Sequence, residues 1–256
     1  MTLDLFDDIH RPLNTTLITD TYGNPWSKYS LLATDGYTHV LVTPMWQSAT
    51  GSVDICTVNN ATGQCGNVFS YNTTSIPDVA GVALINGNLR IASTTTGATI
   101  VINHLTGKLV GSVPWSGLAP MTNSWVTGFS SDGTNDYLFV SNWGQIPNTF
   151  NWGYTTMMYQ ASSATGVFGT GVVIPYNVYS TSPSSATGGN VYSFSNFRNQ
   201  SLQRFSLTTG AQTSANWNFF GSNLRNPVVV GNKVISLGSN NATLVEYTLP
   251  PAAQFR

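Results

Sequence analysis

Residues 98–107 read ATIVINHLTG, a run rich in β-branched and aliphatic residues that ends in Thr-Gly. Such a run, bounded by turn residues, is typical of a β-strand that leads into a tight turn. The pattern occurs again in SVDICTVNNATG (52–63), TTMMYQASSATG (155–166) and SLQRFSLTTG (201–210). The final glycines are spaced by 44, 59 and 44 residues. A recurrence at this spacing indicates internal repeats.

A second run, opened by a tight-turn pair, precedes each of these segments. The five opening pairs are Asp35-Gly36, Asn86-Gly87, Asp132-Gly133, Gly188-Gly189 and Gly231-Asn232. The fifth leads to ATLVEYTL (242–249), a fifth copy of the run that elsewhere precedes Thr-Gly. This last unit has no strand after it, whereas TLITDTYGNPW (16–26) reads like KLVGSVPW (108–115), which follows the second Thr-Gly. The N-terminal segment is therefore predicted to supply the missing strand.

Five units of about 44 residues, each with four short strands, predict an all-β five-bladed β-propeller closed by an N-terminal strand. Closure of the ring removes sheet edges that invite aggregation. The predicted propeller spans residues 13–249, between an N-terminal tail (1–12) and a C-terminal tail (250–256). A double β-sandwich is the alternative, and it does not account for a period of 44 residues.

The Thr-Gly units resemble quinoprotein-like, YVTN-type propeller repeats, in which each third strand ends in Thr-Gly. The resemblance spans residues 13–249 and implies an architecture rather than a chemistry, because propellers support many functions. A redox enzyme with a quinone cofactor is suggested only by this resemblance. The sequence lacks the cationic and acidic ligands that hold such a cofactor and its calcium, so no cofactor is expected.

Charged residues are scarce, at 7% of the chain, with 9 basic and 10 acidic side chains, where soluble proteins carry about 25%. A chain this poor in Lys and Arg has no basic stripe for phosphates, which excludes nucleic-acid binding and electrostatic attachment to membranes. No apolar run approaches the roughly 18 residues of a spanning helix. The predicted partners are therefore neutral surfaces.

The surface is predicted to consist of hydroxyl and amide groups, because Ser and Thr total 60 residues and Asn 25. Their hydrogen bonding does not depend on ionisation, so we expect little change between about pH 2 and pH 7. This favours an extracellular, cell-surface or virion location. The composition resembles that of surface-layer and virion-surface proteins of acidophilic archaea and their viruses.

The two cysteines, Cys56 and Cys65, bracket TVNNATGQ (57–64), which contains a turn. Paired strands on either side of that turn would bring the two thiols within disulfide distance, which implies an oxidising compartment. Two free thiols in a reducing cytosol are the alternative. Neither cysteine has neighbours at zinc-ligand spacing, so no metal site is predicted.

Catalysis is not predicted, although a secreted carbohydrate-active enzyme or a lectin is the alternative function. A glycoside hydrolase needs two carboxylates at a defined separation. Asp35 and Asp132 occupy the repeated turn position, which leaves Asp20, Asp78 and Glu246 as the candidates. His10, His39 and His104 fall at unrelated repeat positions, with no metal-binding pattern.

The remaining signal is aromatic. The ends of the second strands present Trp46, Trp143 and Phe197, and the third unit carries the insertion GQIPNTFNWGYTT (144–156), with Phe150, Trp152 and Tyr154. Exposed aromatic rings among Asn and Gln are typical of sugar stacking or of a protein interface. Packing between blades is the alternative, and we expect it for the aromatic residues that recur in every unit. These are Trp26, Tyr71, Trp115, Tyr176 and Trp217.

The sequence therefore predicts a non-catalytic extracellular or virion-surface protein with a structural or recognition role. It would bind a glycan or protein on a host or neighbouring surface through an aromatic, polar face. Assembly with other structural subunits is compatible with this prediction.

Overall fold

The structure, a computed structural model, describes residues 9–10, 14–48, 51–118, 124–145, 152–174, 184–187, 189–194, 201–211, 213, 217–219, 225–238 and 242–249. Within these ranges the regular structure is β-strand, apart from one turn of 3-10 helix at Met45–Gln47. In chain order the strands are β1 (Ile9–His10), β2 (Asn14–Leu17), β3 (Leu31–Thr34), β4 (His39–Thr43), β5 (Val53–Val58), β6 (Cys65–Tyr71), β7 (Gly81–Ile85), β8 (Asn88–Ser93), β9 (Ala98–Asn103), β10 (Leu109–Pro114), β11 (Ser124–Ser131), β12 (Asn135–Gln145), β13 (Trp152–Ser162), β14 (Val172–Ile174), β15 (Ser184–Thr187), β16 (Asn190–Phe194), β17 (Ser201–Ser206), β18 (Trp217–Phe219), β19 (Arg225–Val230), β20 (Lys233–Leu237) and β21 (Thr243–Thr248).

In the part of the chain that the structure describes, the strands form five small sheets. Four sheets are built from consecutive strands, in the orders β3-β4-β5-β6, β7-β8-β9-β10, β11-β12-β13-β14 and β15-β16-β17-β18. The last sheet has the order β19-β20-β21-β2, so its fourth strand comes from the N-terminal part of the chain. Strand β1, inside the segment predicted as a tail, adds to the edge of β18 as a parallel strand.

The sheets stand in a propeller-like ring. Their first strands contact one another in the order β3, β7, β11, β15 and β19, and β19 also contacts β3. Each sheet carries apolar side chains on both faces. Where two neighbouring sheets meet, these side chains are buried together in one cluster, and we call each such contact a junction. Leu32 of β3 and Ile235 of β20, for example, share the cluster that joins the last sheet to the first. The predicted all-β class and the propeller-like arrangement are confirmed, and the sheets do not stack in two layers as a double sandwich requires.

The Thr-Gly segments form one five-residue turn, repeated between the third and fourth strands of four sheets. In the second sheet, the Asn103 side-chain oxygen accepts the backbone N–H groups of Leu105 and Thr106, at 3.2 and 3.0 Å. The N–H of Gly107 donates to the Asn103 carbonyl at 2.8 Å, and Thr106 Oγ1 accepts the N–H of Lys108 at 3.3 Å. This is a side-chain-capped turn, which accounts for the Asn or Ser four residues before each glycine.

The glycine of this turn is required on two grounds. Gly63 has a φ of 71°, in the left-handed region that side chains with a Cβ seldom adopt. A Cβ at Gly63 would also overlap the carbonyl oxygen of Leu17 in β2, and a Cβ at Gly166 would overlap that of Pro114 in β10. The turn of one sheet therefore lies directly against the outer strand of the preceding sheet.

The insertion in the third unit is in part a hairpin. Strands β12 and β13 each have 11 residues, and their pairing continues through Trp143 with Tyr154 to Gln145 with Trp152. The described part of the predicted insertion therefore lengthens the β12–β13 hairpin, where cross-strand pairing satisfies its backbone groups. Phe150 lies outside the described residues.

Replacement of Gly63 by Ala tests the contact between sheets. We expect Gly63→Ala to lower the free energy of unfolding by about 2–3 kcal/mol, because it adds a backbone overlap to an unfavourable φ. Gly97→Ala is the matched control, since Gly97 has a φ of 59° with nothing within 4 Å of its Cβ position, and should cost about 1 kcal/mol. Urea unfolding measures both values, and equal losses would show that the contact with Leu17 is absent.

Candidate functional site

The predicted aromatic residues that the structure describes, Trp46, Trp143, Trp152 and Tyr154, lie at the end of the ring where second strands lead into third strands. Trp46 lies in the 3-10 helix between β4 and β5, and Trp143 lies near the end of β12. We call this the aromatic end. The opposite end carries the first hairpin turns, at Asp35, Asn86 and Asp132, together with the Thr-Gly turns, and we call it the turn end.

Trp46 is the most exposed of the predicted aromatic residues whose side chains are described. Its side chain is 66% exposed, against 44% for Trp143. The Trp46 ring lies against Tyr29, with ring centroids 5.2 Å apart and planes inclined by 31°. Trp152 and Tyr154 have backbone positions in β13, opposite Gln145 and Trp143, whereas Phe197 lies outside the described residues. The structure therefore offers one ring pair, in which Trp46 is exposed and Tyr29 is half-buried, and one further exposed tryptophan.

The recurring aromatic residues behave differently. Trp26 is buried and donates its indole N–H to Ser30 Oγ at 3.1 Å. Trp115 packs edge-on against Phe168, with centroids 6.0 Å apart, and Tyr71 donates its hydroxyl to the Gly107 carbonyl. These contacts join neighbouring sheets, as expected for packing residues. Tyr176 lies outside the described residues.

A buried carboxylate lies beneath the ring pair. Asp54, at the start of β5, is 5% exposed. Its Oδ2 accepts Lys28 Nζ at 3.3 Å and Ser48 Oγ at 3.0 Å. Its Oδ1 accepts Ser52 Oγ and Ser70 Oγ, each at 2.8 Å. Lys28 also lies over the Trp26 ring, with Nζ 5.7 Å from its centroid. Its positive charge is therefore stabilised by the Asp54 carboxylate and by the face of the Trp26 ring.

The candidate acids for glycoside hydrolysis have structural roles. Asp20 accepts the N–H groups of Tyr22 and Asn24 in its own turn, at 2.8 and 2.9 Å. Asp78 accepts the hydroxyl of Ser93 and both the N–H and hydroxyl of Thr94. In both cases desolvation acts to raise the pKa, but the hydrogen bonds outweigh it and hold the pKa below its ordinary value. Neither carboxyl is therefore suited to act as a general acid.

Glu246 lies in a cavity of about 280 Å³ at the turn end, between the first and last sheets. Its carboxylate pairs with Lys233 Nζ at 2.6 Å, and His39 lines the same cavity. The imidazole of His39 is buried and its Nδ1 shares a hydrogen bond with Thr34 Oγ1 at 2.9 Å. Sequence reasoning missed this group because its members come from opposite ends of the chain.

A second cavity, of about 360 Å³, lies along the axis of the ring. Its walls come from the first strands of the sheets and are largely aliphatic, with Val82, Leu84 and Val230 among them. Asp35 and Asp132 line it as well, but Asp132 accepts the N–H groups of Thr134 and Asn135, at 2.9 and 2.7 Å. This cavity contributes packing space and few available polar groups.

The predicted disulfide is present. Cys56 in β5 and Cys65 in β6 are bonded across the Thr-Gly turn, with Cα atoms 5.8 Å apart. Within the described ranges, no three His, Cys, Asp or Glu side chains come together as metal ligands. No helix within those ranges is long and apolar enough to cross a bilayer.

No protein-family model matches the sequence, and no curated protein matches it. Solved structures do match. The glutaminyl cyclase of Myxococcus xanthus has a TM-score of 0.59 and 10% identity, over 93% of this chain and 97% of that one. The hydrazine synthase of Kuenenia stuttgartiensis has a TM-score of 0.43 and 14% identity, over 82% of this chain and 55% of that one. The likeness to the cyclase shows a shared fold alone.

Loss of the disulfide should weaken the first sheet. The bond closes a loop with a sequence separation of 9 residues, for which chain-entropy arguments give a stabilisation of about 2–3 kcal/mol. We expect the double variant Cys56→Ser, Cys65→Ser to lose about that free energy of unfolding in urea. The double variant should not respond to added reductant, whereas the unmodified protein should lose the same amount. An unmodified protein that is insensitive to reductant would contradict the bond.

The buried histidines predict a loss of stability in mild acid. Burial lowers the pKa of His39, although Glu246 and Asp35 act in the opposite direction, and burial likewise lowers that of His104. The unfolded chain therefore takes up protons near pH 6.5 that the folded chain does not accept. Stability should fall as the pH decreases through that value, until the lower folded pKa is reached. The variant His39→Gln, His104→Gln should show a flatter curve in urea unfolding, and an unchanged slope would contradict this assignment.

Proposed function

We propose that this protein is a non-catalytic recognition module that binds a glycan or protein on a host or neighbouring surface with its aromatic end. In this proposal the five sheets are the blades of a propeller whose ring is closed by the N-terminal strand Asn14–Leu17. The protein acts outside the cell, at a cell surface or on a virion. It has no cofactor and does not bind nucleic acid or insert into a membrane.

The pairing of β2 with β21 supports the closed ring. The four residues of β2 pair in antiparallel register with β21, from Asn14 with Glu246 to Leu17 with Thr243. The Gly63 turn of the first sheet lies against this strand. The last sheet therefore has β2 as its outer strand, and this strand contacts the first sheet. The outer strands of the other sheets contact the next sheet along the chain in the same way.

The ring pair of Trp46 and Tyr29 carries the proposal for function. Trp46 is two-thirds exposed, so most of its ring is open to a partner. The ring lies against Tyr29, and Ser48, two residues further along the chain, donates a hydrogen bond to the buried Asp54. A flat apolar ring flanked by polar groups suits the apolar face of a sugar or the aliphatic part of a protein surface.

The charge distribution supports a neutral contact. The formal net charge is −1, and Lys28, the residue before Tyr29, is paired with Asp54. Binding would depend on buried aromatic area and neutral hydrogen bonds, so its free energy should vary little with salt.

A glycoside hydrolase is less well supported. The three candidate acids do not share one cavity, since the cavity that Glu246 lines includes neither Asp20 nor Asp78. Glu246 instead faces Lys233 and His39, which is not the pair of carboxylates that glycoside hydrolysis uses. The cyclase with a similar fold is an enzyme, but at 10% identity its activity does not extend to this chain.

The disulfide and the scarcity of charge support a location outside the cytosol. A disulfide is compatible with an oxidising compartment, and Cys56 and Cys65 form one here. Most of the polar surface consists of hydroxyl and amide groups that keep their hydrogen bonds in acid. A surface of this kind fits an acidic exterior.

A binding screen against a glycan array and intact host surfaces, at pH 3 and pH 7, tests the proposal. Trp46→Ala should weaken binding about tenfold or more, since exposed anchors at the centre of an interface contribute at least 1–2 kcal/mol. Trp143→Ala should also weaken it. Tyr37→Ala is the matched control, because Tyr37 is 81% exposed but lies at the turn end, and its binding should equal that of the unmodified protein.

Three results would overturn the proposal. They are the absence of binding at both pH values, binding that Trp46→Ala leaves unchanged, and binding that falls steeply with salt. The first result would instead favour a structural subunit whose aromatic end is covered by its own assembly.

A further inference from the structure

We propose that Asp54 is the positioning residue of the binding site, holding the Trp46 and Tyr29 rings in the arrangement that meets the ligand. This inference rests on the proposed function and adds a buried residue that is bonded to the segments carrying the two rings. Sequence reasoning assigned no role to Asp54, since nothing in the repeat pairs it with another acid.

One carboxylate oxygen connects the two segments that carry the rings. Asp54 Oδ2 accepts hydrogen bonds from Lys28, the residue before Tyr29, and from Ser48, two residues after Trp46. Ser48 also ends the 3-10 helix, because its N–H donates to the Met45 carbonyl at 3.1 Å. The helix that holds Trp46 and the segment that holds Tyr29 are thus fastened at the same atom.

The other oxygen fastens the carboxylate to the sheet. Asp54 Oδ1 accepts Ser70 Oγ, and Ser70 is the register partner of Asp54 on β6. On the other side, Thr43 is the register partner of Asp54 on β4 and shares a hydrogen bond with Ser30 Oγ at 2.8 Å. Tyr29 is therefore held on both sides, through Lys28 and through Ser30.

Rings held in this way lose little freedom on binding. An exposed aromatic side chain that is ordered only by its ligand pays about 0.5–1.5 kcal/mol in lost rotamer freedom. Fixing the neighbouring backbone and one ring against the other reduces that cost before the ligand arrives. The carboxylate thus acts on affinity through the rings and not by contact with the ligand.

The second sheet contains the same device without the aromatic rings. Asp78 accepts hydrogen bonds from Ser93, Thr94 and Thr95 around the turn between β8 and β9. This turn corresponds to the segment that holds Trp46, and its residues are small and polar. A half-buried carboxylate thus fastens the corresponding turn of the second sheet, although it lies before a first strand and not in a third strand, and Asp78 provides a control for Asp54.

The hydrogen bonds also determine the acid range of the site. Burial acts to raise the pKa of Asp54, but the bonds from Ser70, Ser52 and the other donors outweigh it and hold the pKa below its ordinary value. The carboxylate therefore stays ionised in mild acid. Its effect on the rings should be present above about pH 4 and should be lost as the pH falls through the lower folded pKa.

The experiment compares Asp54→Asn with Asp78→Asn by two measurements. Near-UV circular dichroism reports the packing of the rings without any ligand, and binding is measured to the array glycan or host-surface preparation that the unmodified protein binds most tightly. Asp54→Asn should change the near-UV spectrum and weaken binding about tenfold. Asp78→Asn should lose similar stability in urea but keep the spectrum, with binding within about twofold.

Ser48→Ala is a milder variant that removes the bond to Asp54 on the Trp46 side, together with the hydrogen bond between Ser48 Oγ and Ser52 Oγ, and we expect it to fold and to weaken binding about threefold. The binding of the unmodified protein should fall in strong acid, whereas that of Asp54→Asn should not show this step. The positioning role is overturned if Asp54→Asn keeps the spectrum and the affinity, or if Asp78→Asn loses as much binding. Absence of binding by the unmodified protein would instead reject the proposed function, while the ligand-free spectra would still test the ring contacts.

Discussion

The contact between the Thr-Gly turns and the outer strand of the preceding sheet, made to backbone at three turns and to the Phe69 ring at Gly107, determines how the sheets stand relative to one another. At Gly63, Gly166 and Gly210, no room remains for a Cβ between the turn and a carbonyl oxygen of the neighbouring outer strand. Such a contact is short-ranged and steric, so it fixes position more sharply than apolar packing alone. The junction clusters then add hydrophobic stabilisation to an arrangement that the turns have already defined.

Several ionisable side chains lie inside this framework. Arg90 of β8 donates to Asp136 of β12 at 2.7 Å and so connects the second and third sheets. Asp54 and Asp78 fasten turns, and Glu246 pairs with Lys233 beside His39. Next to the rings of Trp46 and Tyr29, the charges of Lys28 and Asp54 are paired with each other.

Local signals made much of the fold predictable. Each Thr-Gly run, each turn pair and the pair of cysteines lies within about 15 residues of sequence, and turns of this kind depend on local chemistry. The site was harder to predict from the sequence. Its polar residues meet only when three strands and a connecting segment are in register, as is the case for Asp54, Ser48, Ser70 and Lys28. Trp46 was identifiable as a strand-end aromatic residue, whereas its partner Tyr29 was not, since Tyr29 lies outside the repeated pattern. The grouping of His39 with Glu246 depends on the contact between the first and last sheets.

The pairing of β2 with β21 has a consequence for biosynthesis. The two strands are far apart in the sequence, at Asn14–Leu17 and Thr243–Thr248, so the last sheet cannot be completed until β21 has left the ribosome. Until then strand β2 and the edge of β20 lack their partner, and such open edges favour association with other chains. Non-local pairing of this kind also slows folding. Early disulfide formation between Cys56 and Cys65, which needs only one hairpin, gives the first sheet a covalent constraint during this interval.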